Sequence, residues 1–284
     1  MIGILIVIDS DCDCVHDRAT LRCMNILCIG DIFGKPGRAI IAAWLPQLIE
    51  EYAADFVIVN GENAAGGRGI TPKIAEELLQ LPVDVFTSGN HIWQHKELAP
   101  YLTAGKFLRP HNAPKDRAGS GVRVVTARNG VAVGVVNLQG RVFMYEGEQH
   151  ACPFQTAQAV LNEMRPQAKC VVVDFHAEIT AEKQALGRYL DGQVSCLYGT
   201  HTHVQTADER ILPRGTAFLT DIGMTGPHDS VIGMRVEDAL RRFLSHGQDK
   251  RWEAAERDPC VHGLCVSVDP STGRAESIVR IQRR

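Results

Sequence analysis

The sequence predicts an α/β fold in which two packed, mixed β-sheets are flanked by helices. Three observations carry this reading. From Met24 onward, short apolar runs of strand length alternate with helical patterns in a βαβαβ order. Two hairpin signals follow, one in the middle of the chain and one at its end. The chain has 284 residues, 45% of them hydrophobic, with no repeat, linker or low-complexity tract, so one large domain can close around ample core.

The elements follow in order. Residues 1–23 read as an N-terminal extension, either a non-native start or an extra strand, because "MNILCIGD" opens a clean strand pattern at a second methionine. The motif "CDCVH" in that extension has no partner pair at zinc-finger spacing. "NILCIG" is a strand ending at Asp31, and "AIIAAWLPQLIEEYA" a helix that Pro46 disturbs. "DFVIVNGEN" is a strand running into a loop. Thr71 and Pro72 fit the N-cap and first position of a helix over "PKIAEELLQL". "VDVFTSGNH" is again a strand entering a loop, and this opening implies a largely parallel, buried sheet. "GVRVVTARNGVAVGVVNLQG" is a hairpin turning at Asn129-Gly130. "KCVVVDFHAE" is a strand, "ITAEKQALGRYL" a helix capped by Thr180, and "VSCLYGTH" and "TAFLTDIG" are strands. "RVEDALRRFLSH" is an amphipathic helix, and the chain ends in a hairpin turning at residues 270–273.

Charge and composition exclude several classes of partner. The net charge is −3 and no long basic run occurs, so neither a stable nucleic-acid complex nor an anionic membrane is expected. An anionic substrate would need a local positive centre, which bound metal provides. The longest early apolar run, residues 2–8, is too short to span a bilayer and lacks a signal-peptide pattern. The nine cysteines show no disulfide framework. The expected setting is therefore cytoplasmic with reduced thiols. A homo-oligomer is compatible with the sequence but not required by it.

The chemistry gathers at strand ends. "GTHTHVQ" places His201 and His203 two apart, a spacing that in a strand puts both imidazoles on one side. Alone, the pair could be polar surface. Asp31 could cap a turn, Asn63 and Asn90 could be turn residues, and His176 could be a core histidine. Yet Asp31, Glu62-Asn63, Asn90-His91, His176 and His201/His203 stand at the ends of five strands. In open α/β sheets the carboxyl ends of strands line the ligand crevice. This set implies a metal centre, and the number of ligands suggests two ions. Oxygen ligands mixed with imidazole suit iron or manganese, with zinc also compatible. Glu62 can bridge two ions with its two oxygens.

The order Asp, Glu-Asn, Asn-His, His, His-x-His resembles the calcineurin-like metallophosphoesterases, and more closely their YmdB-type branch. The matching stretches include "NILCIGDIFGKPGR", "VNGENAAGGRGIT", "SGNHIWQHKE", "DFHAEITAEKQALGRYLDG" and "GTHTHVQTADERILPRGTAFLTDIGMTGPHDSVIG". The resemblance runs from Met24 to the C-terminus and implies a four-layer fold. Unlike the wider superfamily, where Asp-x-His is usual, Asp31 is followed by Ile32 and Phe33, so that histidine is absent and the branch uses Asn63 instead; Glu62 stands in place of an aspartate. The resemblance gives one ion Asp31, Glu62, Asn63 and His203, and the other Glu62, Asn90, His176 and His201. His91 would be the general acid rather than a ligand. The implied activity is hydrolysis of 2′,3′- or 3′,5′-cyclic nucleotides, or of another small phosphodiester. Water activated between the ions would attack phosphorus, and His91 would protonate the departing ribose oxygen. The same core serves phosphomonoesterases and broad phosphodiesterases. A regulatory RNA- or partner-binding protein with a structural metal site is a further alternative, disfavoured by an uncoordinated His91 and by the missing basic stripe. Softer candidates are the glycine-rich residues 64–69, which could approach a phosphate, and Arg109 and His111 in "RPHNAP", which could face substrate. His228 lies in a loop and has no role assigned by spacing.

Overall fold

The computed structural model describes residues 23–144, 150–247 and 252–284. The boundary drawn after residue 23 and the "CDCVH" motif therefore fall almost wholly outside the described residues. The chain begins with β1 (Met24–Ile29), the two-residue β2 (Asp31–Ile32), α1 (Gly34–Glu51), β3 (Phe56–Asn60), α2 (Pro72–Leu78) and β4 (Val85–Thr87). Two 3₁₀ turns, Asn90–Trp93 and Lys96–Leu98, lead to α3 (Ala99–Thr103). Then come β5 (Val122–Thr126), β6 (Ala132–Gln139), α4 (Pro153–Met164), β7 (Cys170–His176), α5 (Thr180–Tyr189) and β8 (Cys196–Thr200). The last third holds β9 (Arg210–Ile211), β10 (Ala217–Leu219), β11 (Met224–Pro227), α6 (Val236–Leu244), β12 (Pro259–Val268) and β13 (Ala275–Arg283).

Two mixed sheets result. One has the order β2-β11-β12-β1-β3-β4, with β13 also on β12; the other has the order β5-β6-β7-β8-β10-β9. Strand parity builds the layers. Met24, Ile26, Phe56 and Ile58 join Val133, Val135, Val172 and Tyr198 in the core between the sheets. Their neighbours Leu27, Ile29, Val57 and Val59 face the other way, onto Ile41, Leu45 and Leu48 of α1. On the far side Val171, Val173 and Phe175 meet Ala157, Leu161 and Met164 of α4 and Leu186 of α5. The result is four layers, helix–sheet–sheet–helix, as expected for the fold class.

Local differences have physical reasons. α1 runs through Pro46 without ending. An interior proline costs about 3 kcal/mol, but burying Ile41, Leu45 and Leu48 stabilises the helix by roughly 1.5–3 kcal/mol each. Thr71 caps α2 as expected, its Oγ1 accepting from Ile74 N at 3.4 Å. Thr180 does not cap α5: it is the first helical residue, and the cap position is Ile179, which offers no side-chain acceptor. Helix α4 is an addition to the elements expected from sequence, although Pro153 opens it and its buried residues 157, 160, 161 and 164 follow helical spacing. "TAFLTDIG" is strand only in its first part: β10 ends at Leu219, and residues 220–223 carry the chain across to β11 in the other sheet. Both hairpins form, and Gly130 adopts φ +85° at the first turn. Among the described residues, no helix is long and apolar enough to cross a membrane.

Candidate active site

All seven candidate ligands and His91 converge at the carboxyl ends of β1, β3, β4, β7 and β8. Glu62 is the centre, fully buried. Its Oε1 lies 3.2 Å from His176 Nε2 and 3.4 Å from His91 Nδ1, and accepts from Asn63 Nδ2 at 3.0 Å. Two groups share it. In one, His176 Nε2 lies 3.0 Å from Asn90 Oδ1 and 3.0 Å from His201 Nδ1. In the other, His203 Nε2 lies 3.3 Å from Asp31 Oδ2 and 3.2 Å from Asn63 Nδ2. Glycine at position 89 is required for this closeness: a Cβ there would stand 2.1 Å from His176 Cδ2 and 2.3 Å from Glu62 Oε2.

The histidine tautomers can be read from their outer partners. Thr200 Oγ1 donates to buried Asp174 Oδ1 at 2.7 Å, so it accepts from His176 Nδ1 at 2.9 Å and turns the Nε2 lone pair inward. His203 Nδ1 donates to the Ile232 carbonyl at 2.8 Å, which likewise frees Nε2. His201 Nε2 donates to Glu178 Oε2 at 3.1 Å, leaving Nδ1 as the acceptor. Such outer partners orient imidazoles for metal binding. Sequence reasoning misses Asp174, Thr200, Glu178 and Ile232. The one local signal is the proximity of Asp174 and Glu178 to His176 in "DFHAE".

His201 and His203 do not lie on a strand. β8 stops at Thr200, and the two histidines adopt φ +94° and +65° in a turn. Their shared direction comes from this left-handed backbone, not from a pleat. Side chains other than glycine seldom accept it, and such strain concentrates at functional sites.

The donor set tests whether metal fits. At the first group, Glu62 Oε1, Asn90 Oδ1, His176 Nε2 and His201 Nδ1 are all acceptors, so a cation must sit among them. In the ion-free chain that cation is a proton. Burial opposes it, but Glu62 overrides burial and holds His176 up at about 9. Burial and the His176 charge then push His201 down to about 2. The second group repeats the pattern: His203 is raised against burial by Asp31. Asp31 is fully buried, with His203 Nε2 3.3 Å from its Oδ2. Burial pushes Asp174 up to about 7, with Thr87 and Thr200 opposing. These two acceptor groups joined by a carboxylate fit two divalent ions. Asn63 turns Nδ2 toward His203 and Oδ1 toward His91 Nδ1, at 2.8 Å. Ligation through its oxygen corresponds to the opposite amide orientation.

A cleft of about 320 Å³ opens over the site, lined by Phe33, Glu62, Asn63, Gly67, Arg68, His91, Glu178, His201, Thr202, His203, Ile232, Arg242 and Trp252. The glycine-rich loop at residues 64–69 does reach it. Gly67, at φ +96°, packs so closely on Phe33 that a Cβ would come within 2.5 Å of the ring. Arg109 and His111 do not line it; Arg109 is buried and donates to the Pro110 carbonyl at 2.8 Å. The seven described cysteines are free thiols, none among the candidate ligands.

Comparison with known proteins identifies relatives over most of the chain. The chain is 43% identical over 259 residues to the 2′,3′-cyclic-nucleotide 2′-phosphodiesterase of Bacillus subtilis, covering 91% of this chain and 96% of that protein. A crystal structure described as a novel phosphatase from Mycoplasma pneumoniae superposes with TM-score 0.86 at 34% identity, covering 92% of this chain and 93% of that one. A crystal structure of a hypothetical protein from Thermus thermophilus gives TM-score 0.84 at 38% identity, covering 92% and 99%. With residues 27–281 matching the YmdB-like protein family, the chain belongs to that family, a branch of the metallophosphoesterases.

Proposed function

We propose that this phosphoesterase hydrolyses small phosphodiesters, with 2′,3′-cyclic nucleotides as its substrate class, in a dimetal site. The observation that carries the reading is the pair of acceptor groups sharing Glu62, with His91 beside them on the cleft. The relative of like length named for 2′,3′-cyclic-nucleotide 2′-phosphodiesterase activity supports the substrate class. The residues that would hold the ions are Asp31, Glu62, Asn63 and His203 for one, and Glu62, Asn90, His176 and His201 for the other. When bound, the ions supply positive charge at the phosphoryl oxygens and acidify water. Their oxygen-and-imidazole ligands suit iron or manganese.

The chain's own groups do the rest. His91 sits in the 3₁₀ turn Asn90–Trp93, its side chain 21% exposed, and reaches the cleft that substrate enters. It protonates the departing ribose 2′ oxygen. Asn63 holds its Nδ1 and so fixes the ring. Arg68 and Arg242 lie over the Trp252 ring, at 5.3 and 5.0 Å from its centroid, and bring two positive charges to the mouth of a chain whose net charge is −3. They meet the anionic substrate.

The test is a panel of 2′,3′-cyclic and 3′,5′-cyclic nucleotides and a nitrophenyl diester, assayed after loading with iron or manganese, with products identified. Ring opening of 2′,3′-cyclic substrates to the 3′-phosphate is expected. Loaded protein that opens no cyclic nucleotide but cleaves monoesters would overturn the diester reading.

A further inference from the structure

A second group of metal-ligand side chains lies outside the active site. β12 carries Cys260 and His262 two residues apart, hence on one face. β11 pairs with the start of β12, and His228 follows β11 directly. One nitrogen of each imidazole and the Cys260 sulfur lie within 4.8 Å of one another. The two rings sit with centroids 4.3 Å apart, inclined at 52°. Cys260 and His262 are 3% and 9% exposed, and His228 is half-buried.

Four details point to a ligand. His262 Nδ1 is buried and has no hydrogen-bond partner among the described residues. Such an orphan costs about 1–3 kcal/mol unless something fills the place. Gly223, at φ +82°, leaves room beside that nitrogen, since a Cβ there would come within 2.5 Å of it. His228 Nε2 donates to the Met224 carbonyl at 3.2 Å, a partner that fixes the tautomer and leaves Nδ1 as a lone pair. The Cys260 sulfur makes a long contact, 3.6 Å, to the Val261 carbonyl, and the Arg283 backbone and Arg284 side chain also act on it. Burial with the neighbouring His228 and Arg284 pushes His262 down to about 4, so it stays neutral and ligand-competent.

We propose that His228, Cys260 and His262 form a separate site for a borderline-soft divalent ion of the zinc class, with the fourth position open. One thiolate and two imidazoles favour zinc, cobalt or copper over manganese, whereas the active site is built from oxygen and imidazole without sulfur. Tetrahedral ligand atoms lie roughly 3.3–3.8 Å apart, so the three side chains draw in by about 1 Å on binding, with half-buried His228 the freest to move. Burial raises the Cys260 thiol, and a bound cation would displace its proton to solvent. Arg284 acts on both Cys260 and His262, but its own side chain is 73% exposed and lies 3.5 Å from Asp258, so its repulsion is screened.

The position suggests a clamp. The His262 carbonyl accepts from Gly30 N at 2.9 Å, one residue before Asp31, and β11 pairs Met224 with Asp31. An ion here would tie β11 to β12 directly behind the strand end that presents Asp31.

Cobalt binding tests the site, because a thiolate-to-cobalt charge-transfer band can arise only where a cysteine is a ligand. The full-length protein, loaded with cobalt, is expected to show that band and one ion per chain beyond the active-site complement. Cys260→Ser should abolish the band and one equivalent of ion while diesterase turnover stays at the wild-type level. His228→Gln, at a half-buried position that tolerates change, should weaken the same equivalent at least tenfold and serves if the serine variant folds poorly. Wild-type protein without a sulfur band, or a band undiminished in both variants, overturns the proposal.

Discussion

Asp221 Oδ2 accepts from the Thr202 hydroxyl at 2.6 Å and from its amide at 3.3 Å, and so fixes the one residue that separates His201 from His203. The same oxygen meets Lys183 Nζ at 2.7 Å, both side chains being buried. Asp221 Oδ1 accepts from Gly223 N at 2.8 Å, where the chain crosses between the sheets. A left-handed residue other than glycine costs roughly 1–3 kcal/mol, and His201 and His203 both carry that cost. The Asp221 network and the Ile232 carbonyl over-determine the turn and hold both imidazoles in place.

Asp221→Ala should therefore cost about 3–5 kcal/mol in urea unfolding, because it leaves Lys183 buried without its partner. Thr202→Val removes one hydroxyl and should cost about 0.5–1.5 kcal/mol. Both should lower the metal content, the first more. An Asp221→Ala protein as stable as the wild type would show that the network does not support the turn.

Glu62→Gln should weaken both ions together. Glu62 is the side chain common to the two acceptor groups, and glutamine offers one oxygen and no charge in its place. Elemental analysis of the purified variant decides it. Full retention of one ion with loss of the other would mean that the carboxylate belongs to a single centre.

Arg68→Met should raise KM for a cyclic nucleotide roughly tenfold or more, since a hydrogen bond to a charged group is worth about 1.5–3 kcal/mol, with kcat changed less than about twofold. Trp252→Ala should move KM the same way, because its ring holds both Arg68 and Arg242 at the mouth. Steady-state kinetics separates the cases. A fall in kcat at constant KM would mean that Arg68 acts on the transition state rather than on binding.

Much of the site is legible in the sequence because it is built on strand ends. A strand is a short apolar run, and the polar residue that ends it stands out, so Asp31, Glu62, Asn90 and His176 can be gathered from the order of residues alone. What escapes depends on separation along the chain. Trp252 and Arg242 meet Arg68 only through folding, from far along the chain, and nothing local marks them. Asp221 supports Thr202 across a loop, and its run reads as strand because apolar Ile222 continues the apolar pattern of β10. The left-handed histidines defeat periodicity altogether, since pattern arguments assume regular backbone. Helix α4 is the opposite case: its helical spacing is present in the sequence, but the strand-rich stretches on either side dominate the pattern.

His91 separates chemistry from binding most cleanly. It directly follows Asn90, a proposed ligand, yet its Nδ1 lies nearest Asn63 Oδ1, at 2.8 Å, with Glu62 Oε1 farther off at 3.4 Å, and its ring lines the cleft. His91→Ala should therefore keep both ions and the fold. It should lose roughly 10²–10⁴ in rate on a cyclic nucleotide, whose ribose oxygen departs poorly without a proton. A nitrophenyl diester should suffer far less, because nitrophenolate leaves unaided. His201→Ala should instead lose metal and slow both substrates. Two variants, two substrates and a metal assay complete the comparison. If His91→Ala sheds an ion or slows both substrates equally, His91 is a ligand or a positioning residue, and the proton must come from elsewhere.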